Sequence, residues 1–171
     1  MNTILCGMPK CGKSTIGRYV SKQYETAFVD TDQLLKKQHQ MTPRELYKQY
    51  GEESFREKEE AIIESLKVKK NAIISLGGGA LESERNRELL LSLGTIVYLQ
   101  VDKELLKKRL KKHDPIFIDP IQFDSSFEAL WEKRIPVFEK TAHLKIDVTH
   151  ITKEEIAATI VDFCASLSFL S

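Results

Sequence analysis

The run GMPKCGKST places Gly7, Gly12, Lys13 and Ser14 at the fixed positions of G-x-x-x-x-G-K-[ST], with Thr15 closing it. Glycines at those points let successive backbone N–H groups converge on a phosphate, and the N-terminus of a following helix adds positive potential. A lysine in this position reaches the β and γ oxygens of a nucleoside triphosphate, and the serine after it ligates Mg²⁺. The expected ligands are ATP or GTP with Mg²⁺, held by Gly7, Gly12, Lys13, Ser14 and Thr15. Cys11, inside the loop, is read as a small residue that fits there.

A second stretch with chemistry in it is FVDTDQLL, where Asp30 and Asp32 stand two residues apart at the end of a β-like run. Carboxylates so close raise the cost of ionising each other, so the pair needs a cation or a hydroxyl-rich ligand beside it. An aspartate ending the strand next to a phosphate loop can hold the nucleotide's metal, directly or through water; Asp30 is the candidate, with Ser14. Asp32 then faces the acceptor, orienting or deprotonating the hydroxyl that attacks the γ-phosphate. A plainer alternative is that Asp32 only caps the helix beginning QLLKKQ.

The elements that must position these residues show as short apolar runs: TILC (3–6), AFV (27–29), AIISL (72–76), TIVYLQV (95–101) and LKIDV (144–148). They alternate with helix-period stretches, which describes βαβ units, and strands buried on both faces pack as a parallel sheet. Thr42-Pro43-Arg44-Glu45 and Thr152-Lys153-Glu154-Glu155 mark helix starts with a hydroxyl cap and a glutamate three residues on, and Asp102 marks another. HDPIFIDPIQFDSS (113–126) has two prolines and no helical period, and a loop of that length inside a domain is usually functional.

A chain of 171 residues suits one domain with a core that needs neither disulfide nor structural metal. Its hydrophobic fraction of 42%, charged fraction of 30% and net charge of +1 exclude nucleic-acid binding through bulk charge. Three cysteines, Cys6, Cys11 and Cys164, lack metal-ligand spacing and point to a reducing compartment. With no charged leader or bilayer-length apolar run in view, no membrane partner is expected and the protein is placed in the cytoplasm. No heptad seam or apolar stripe stands out, so a monomer is expected. His39, His113, His143 and His150 show neither metal spacing nor a nucleophile partner and are read as surface or loop residues.

Further residues carry ligand chemistry: Arg56 in EESFREKEE, Gly77, Gly78 and Gly79 in SLGGGALE, and Arg134 in EKRIPVFEK. Guanidinium groups hold a carboxylate bidentately where lysine would do so poorly, and a glycine run lets backbone N–H groups approach a small ring. Each also has an ordinary reading, with Arg56 a solvated helix charge, the glycines a flexible strand exit and Arg134 a surface partner of Glu132.

A phosphate loop, then D-T-D, then G-E-x-x-F-R, then a strand ending in G-G-G, then K-R-x-P, in that order from Gly7 to Phe138, resembles shikimate kinase. The resemblance implies an α/β fold of the P-loop, nucleoside-monophosphate-kinase-like type, a three-layer α/β/α sandwich around a five-stranded parallel sheet. It implies one kinase domain over residues 1–171, an acceptor-binding helical segment over about 31–62 and a lid over about 112–126. Asp32, Arg56, Gly77, Gly78, Gly79 and Arg134 would surround shikimate, both arginines pairing with its carboxylate. Glu59, one turn beyond Arg56, would hold that guanidinium in place. Lys13, Ser14 and Asp30 would serve ATP and Mg²⁺, and Arg109 would stack on adenine. The implied reaction is transfer of the ATP γ-phosphoryl group to the 3-hydroxyl of shikimate, in chorismate and aromatic amino-acid synthesis, with Lys13 and Asp32 as catalytic residues.

The chain departs from that family at the lid. Shikimate kinases usually carry R-P-L-L there, whose arginine reaches the transferring phosphate; this chain has DPIF, with Asp114 in that place. An acid is unfavourable beside a transition state already rich in negative charge, so either Lys112 or Lys111 supplies the cation or the lid closes in another register. Two rival readings share the phosphate loop: a related small-molecule kinase such as gluconate kinase, and a catalytically weak nucleotide-binding module.

Overall fold

Strands form where the apolar runs lie: β1 (Asn2–Cys6), β2 (Ala27–Asp30), β3 (Ala72–Ser75), β4 (Gly94–Gln100) and β5 (Leu144–Asp147). In the computed structural model, which describes residues 1–113 and 115–168, they pair in parallel as one sheet in the order β2-β3-β1-β4-β5. β1 and β3 are buried throughout. The edge strands are not, since Ala27 on β2 and Lys145 on β5 stay exposed, so burial on both faces holds only for the centre of the sheet. The helices are α1 (Lys13–Gln23), α2 (Thr31–His39), α3 (Pro43–Ser65), α4 (Glu84–Leu93), α5 (Lys103–Lys111), α6 (Phe123–Thr141) and α7 (Lys153–Ser168). α1 packs on α7, while α4 and α6 lie against β4, giving the expected α/β architecture.

Local chemistry explains the helix starts. Thr42 Oγ1 accepts from the Glu45 N–H at 3.2 Å and Glu45 accepts from the Thr42 N–H at 2.7 Å, a reciprocal cap repeated by Thr152 and Glu155. Asp102 accepts from the Leu105 N–H at 2.9 Å. α2 begins two residues earlier than QLLKKQ suggests, and Asp30, rather than Asp32, caps it.

Two segments differ from expectation. Within the helical segment expected over about 31–62, α3 breaks at Gly51, whose φ of 78° lies in the left-handed region. α6 starts at Phe123, so the last residues of the expected 112–126 loop are helical. Their order comes from α5 rather than from local period, because Lys107 and Lys111 pair with Asp124 at 3.3 and 3.1 Å and Phe123 stacks on Phe127 at 6.2 Å.

The central core runs through β1, β3 and β4. A second cluster of Leu35, Leu46, Phe55 and Ile62 joins α2 to α3, with Tyr47 and Phe117 packed on it. Each such side chain contributes about 1.5–3 kcal/mol when fully buried, enough to fix α3 beside the sheet. Among the described residues, none of the cysteines forms a disulfide and no helix is long and apolar enough to cross a membrane. The chain runs from β1 through α1 to β2 on one side of the sheet, with β4 and β5 on the other. Such a reversal opens a crevice beyond the carboxyl ends of the strands, where a doubly wound fold places its ligands.

Candidate active site

The loop from Gly7 to Gly12 leaves the carboxyl end of β1 and delivers α1. Gly7 and Gly12 have φ of 140° and 109°, values that side chains with a Cβ rarely adopt, and Gly12 is the N-cap residue of α1. Lys13 is buried, its Nζ donating to the carbonyls of Gly7 and Met8 at 2.9 Å each, so its charge is folded across the loop. A cavity of about 660 Å³ opens here, lined by Lys13, Ser14, Thr15, Asp32, the three glycines and Arg134.

The two aspartates diverge. Asp30 Oδ2 accepts from the Ser14 hydroxyl at 2.6 Å, with the Ser75 hydroxyl 3.4 Å from Ser14, while Asp30 Oδ1 accepts from the N–H groups of Asp32 and Gln33. These hard oxygen donors beside a phosphate loop suit Mg²⁺, which is held by one or two protein oxygens together with water and phosphate. Asp32 turns instead toward Gly77 and Glu59, where a methyl group on Gly77 would lie 2.8 Å from Asp32 Oδ1 and 3.2 Å from Glu59 Oε1. Burial raises the Asp32 carboxyl above the ordinary range; Asp30 adds to the shift and Lys13 opposes it. Burial also raises the Glu59 carboxyl, against the pull of Arg56 and with a push from Asp32.

Arg56 and Arg134 meet beside the glycine run, Arg134 lining the cavity and Arg56 a neighbouring cleft. Arg56 Nη1 donates to Glu59 at 2.7 Å, and Arg56 Nη2 pairs with Glu82 at 3.2 Å. Arg134 is only 1% exposed and donates its Nε to Glu82 at 2.6 Å. It is therefore a buried group with Glu82 as partner, and not a surface charge paired with Glu132. Burial alone would raise the Glu82 carboxyl, but Arg134, Lys133 and Arg56 outweigh it and hold Glu82 below the usual carboxylate range. The glycines make room: a methyl group on Gly79 would lie 2.4 Å from Arg56 Nη1 and 2.9 Å from Arg134 Nη2. The N–H of Gly77 is taken by the Thr31 hydroxyl at 2.8 Å, so clearance for side chains is the plainer use of that glycine.

Between α5 and α6, Phe117 lays its ring against both guanidiniums, 4.6 Å from Arg56 and 5.1 Å from Arg134, and packs on Tyr47 at 4.9 Å. Neither Glu82 nor Phe117 stands out in the sequence; a lone acid after a glycine run and an aromatic between prolines carry no motif. Asp114 lies outside the described residues. Lys111 is paired with Asp124, and Lys112 lines a separate cleft with Ile118 and Pro120, whereas Lys10 and His113 line the main cavity. Arg109 does not line that cavity; its Nη1 donates to the Lys10 carbonyl at 3.4 Å, tying α5 to the phosphate loop.

Known proteins are similar to this chain in sequence and fold. The family model described as shikimate kinase matches residues 9–165. A shikimate kinase of Clostridium botulinum (strain 657 / Type Ba4) is 39% identical over 162 residues, covering 94% of both chains. The solved shikimate kinase from Acinetobacter baumannii in complex with shikimate superposes with a TM-score of 0.88 at 27% identity, covering 96% of this chain and 93% of that one. A gluconokinase from Sinorhizobium meliloti 1021 superposes with a TM-score of 0.61 at 18% identity over 99% of this chain and 97% of that one, a likeness of fold alone. On these matches the chain belongs to the shikimate kinase family, whose known activity is the ATP-dependent phosphorylation of shikimate.

Proposed function

We propose that this chain is a single kinase domain that transfers the γ-phosphoryl group of ATP to the 3-hydroxyl of shikimate, acting as a monomer in the cytoplasm. The observation that carries the reading is the divergence of Asp30 and Asp32. One is bonded to the phosphate-loop serine, while the other turns to the glycine wall that Arg56 and Arg134 also face.

In this reading Gly7, Gly12, Lys13, Ser14 and Thr15 hold the triphosphate, and Arg109 sits on the nucleotide side. Lys13 leaves its carbonyl partners to meet the β and γ oxygens. Ser14 and Asp30 would hold Mg²⁺, which when bound would neutralise phosphate charge. Arg56 and Arg134 clamp the acceptor carboxylate, with Gly77, Gly78 and Gly79 leaving the space for it. Asp32 accepts the hydroxyl proton as the oxygen bonds to the γ-phosphorus and the bond from that phosphorus to ADP breaks. A carboxyl raised by burial is better suited to take that proton.

The segment over about 31–62 forms the acceptor side, and 112–126 the lid, with its last residues in the first turn of α6. Lys10, which shares the cavity with the phosphate loop, is the cation placed to offset charge where the lid has Asp114. Closure excludes water and limits hydrolysis of ATP. The test is ADP release with ATP and Mg²⁺ in the presence of shikimate or gluconate. Turnover that requires shikimate supports the reading; turnover with gluconate, or none with either, overturns it.

A further inference from the structure

Glu82 ends the short turn Ala80–Glu82 that follows the glycine wall, and its carboxylate joins three cations from two helices. Oε1 accepts from Arg134 Nε at 2.6 Å and lies 3.2 Å from Arg56 Nη2, and Oε2 lies 2.5 Å from Lys133 Nζ. Two guanidiniums side by side repel, and a shared anion removes that repulsion. The anion approaches from outside the main cavity. Glu82 and Arg56 line a neighbouring cleft with Tyr47, Glu52 and Lys133, whereas Arg134 lines both cleft and cavity.

One amino group of the Arg134 guanidinium, on the same edge as Nε, is left over. Its Nη2 is buried without a hydrogen-bond partner, and a methyl group on Gly79 would touch it at 2.9 Å. Buried donors are almost always satisfied, so a bare N–H edge beside the glycine wall marks the place of a ligand acceptor atom.

We infer that Glu82 is a positioning residue for the acceptor carboxylate: by holding Arg134 through Nε and Arg56 through Nη2, it sets the Arg134 guanidinium so that its unpaired Nη2 lies against the glycine run at the cavity wall. The inference rests on the proposed acceptor reading, and it gives Glu82 a role opposite to competition. A carboxylate in the ligand's own place would block the acceptor, whereas one behind the arginines presents them to it.

The experiment combines kinetics with arginine side-chain NMR on the full chain. Glu82→Ala is expected to raise the KM for shikimate about 10-fold or more, with kcat and the KM for ATP changing less than about 3-fold. Glu82→Gln, which keeps an acceptor oxygen, should fall between the two. An unchanged or lowered shikimate KM in Glu82→Ala, or a parallel loss in every constant, overturns the inference. In the ligand-free wild type, the Arg134 Nε–H signal, assigned through Arg134→Lys, should be shifted downfield and protected from exchange, and both features should vanish in Glu82→Ala. If the wild type shows no shikimate-dependent turnover, the acceptor reading fails by itself. The NMR arm then still decides the anchor, since an unprotected Nε–H signal in the wild type overturns it.

Discussion

The Ser14 hydroxyl donates to Asp30 at 2.6 Å, so the phosphate loop and the end of β2 are joined by a hydrogen bond between side chains that share one set of oxygen donors. The same carboxylate caps α2, which fixes its direction and leaves Asp32, two residues on, pointing to the other side of the crevice. Neighbouring acids thereby acquire different surroundings, and different surroundings are how two carboxylates come to do different chemistry.

Asp32→Asn should lower kcat by about 10²-fold or more, the usual contribution of a general base, with the KM for ATP nearly unchanged. The folded-state pKa of Asp32 is raised, so its favourable contribution to stability is present below the unfolded value near pH 4 and is lost as pH rises through the folded value. Asp32→Asn should therefore melt above the wild type at neutral pH and lose that advantage near pH 4. Melting curves across that range check the sign, and kcat of the wild type should rise with pH as the carboxyl ionises.

Arg56→Ala should raise the KM for shikimate by about 100-fold, because hydrogen bonds between charged groups are among the strong ones. It also strands Glu59, which is 3% exposed, beside Asp32. Removing one partner of a buried ion pair costs about 3 kcal/mol, so thermal stability should fall as well. Adding Glu59→Gln to Arg56→Ala should recover stability and not affinity, a split that calorimetry and kinetics measure separately.

Gly79→Ala tests clearance. Its backbone needs no positive φ, so the variant should fold, yet the added methyl group meets Arg56 Nη1 at 2.4 Å and must displace the clamp. A shikimate KM raised about 10-fold or more with little change in melting temperature is the expected result.

Phe117→Ala tests the lid. The ring rests on Arg56 and Arg134 and on the cluster around Tyr47, contacts of about 0.5–2 kcal/mol apiece for the cation–π pairs. Its loss should raise the shikimate KM about 10-fold and increase ADP release without shikimate, as water enters a site that closes less well.

Legibility in the sequence followed how local each signal is. Gly7 to Thr15 fit within one turn and its helix start, so their types and spacing disclosed the phosphate loop directly. The central strands were equally plain, because parallel β-runs buried on both faces are largely apolar, whereas β5 carries Lys145 and Asp147 and is apolar only in part. Arg56 and Arg134 were ambiguous singly, since an arginine on a helix looks the same solvated or buried; only the order of motifs along the chain separated those outcomes. Glu82 was out of reach, because its bond to Arg134 joins residues 52 apart and the turn that aims it is set by tertiary packing. The start of α6 at Phe123 was hidden for the same reason, its stabilising partners Lys107 and Lys111 lying on α5.

The most direct test is a crystal structure of the chain with ADP, Mg²⁺ and shikimate. The acceptor carboxylate should lie between Arg56 and Arg134, the 3-hydroxyl on Asp32, and the metal beside Ser14 and Asp30. A metal held by Asp32, or shikimate bound away from the glycine wall, would contradict the division of the crevice between its two aspartates.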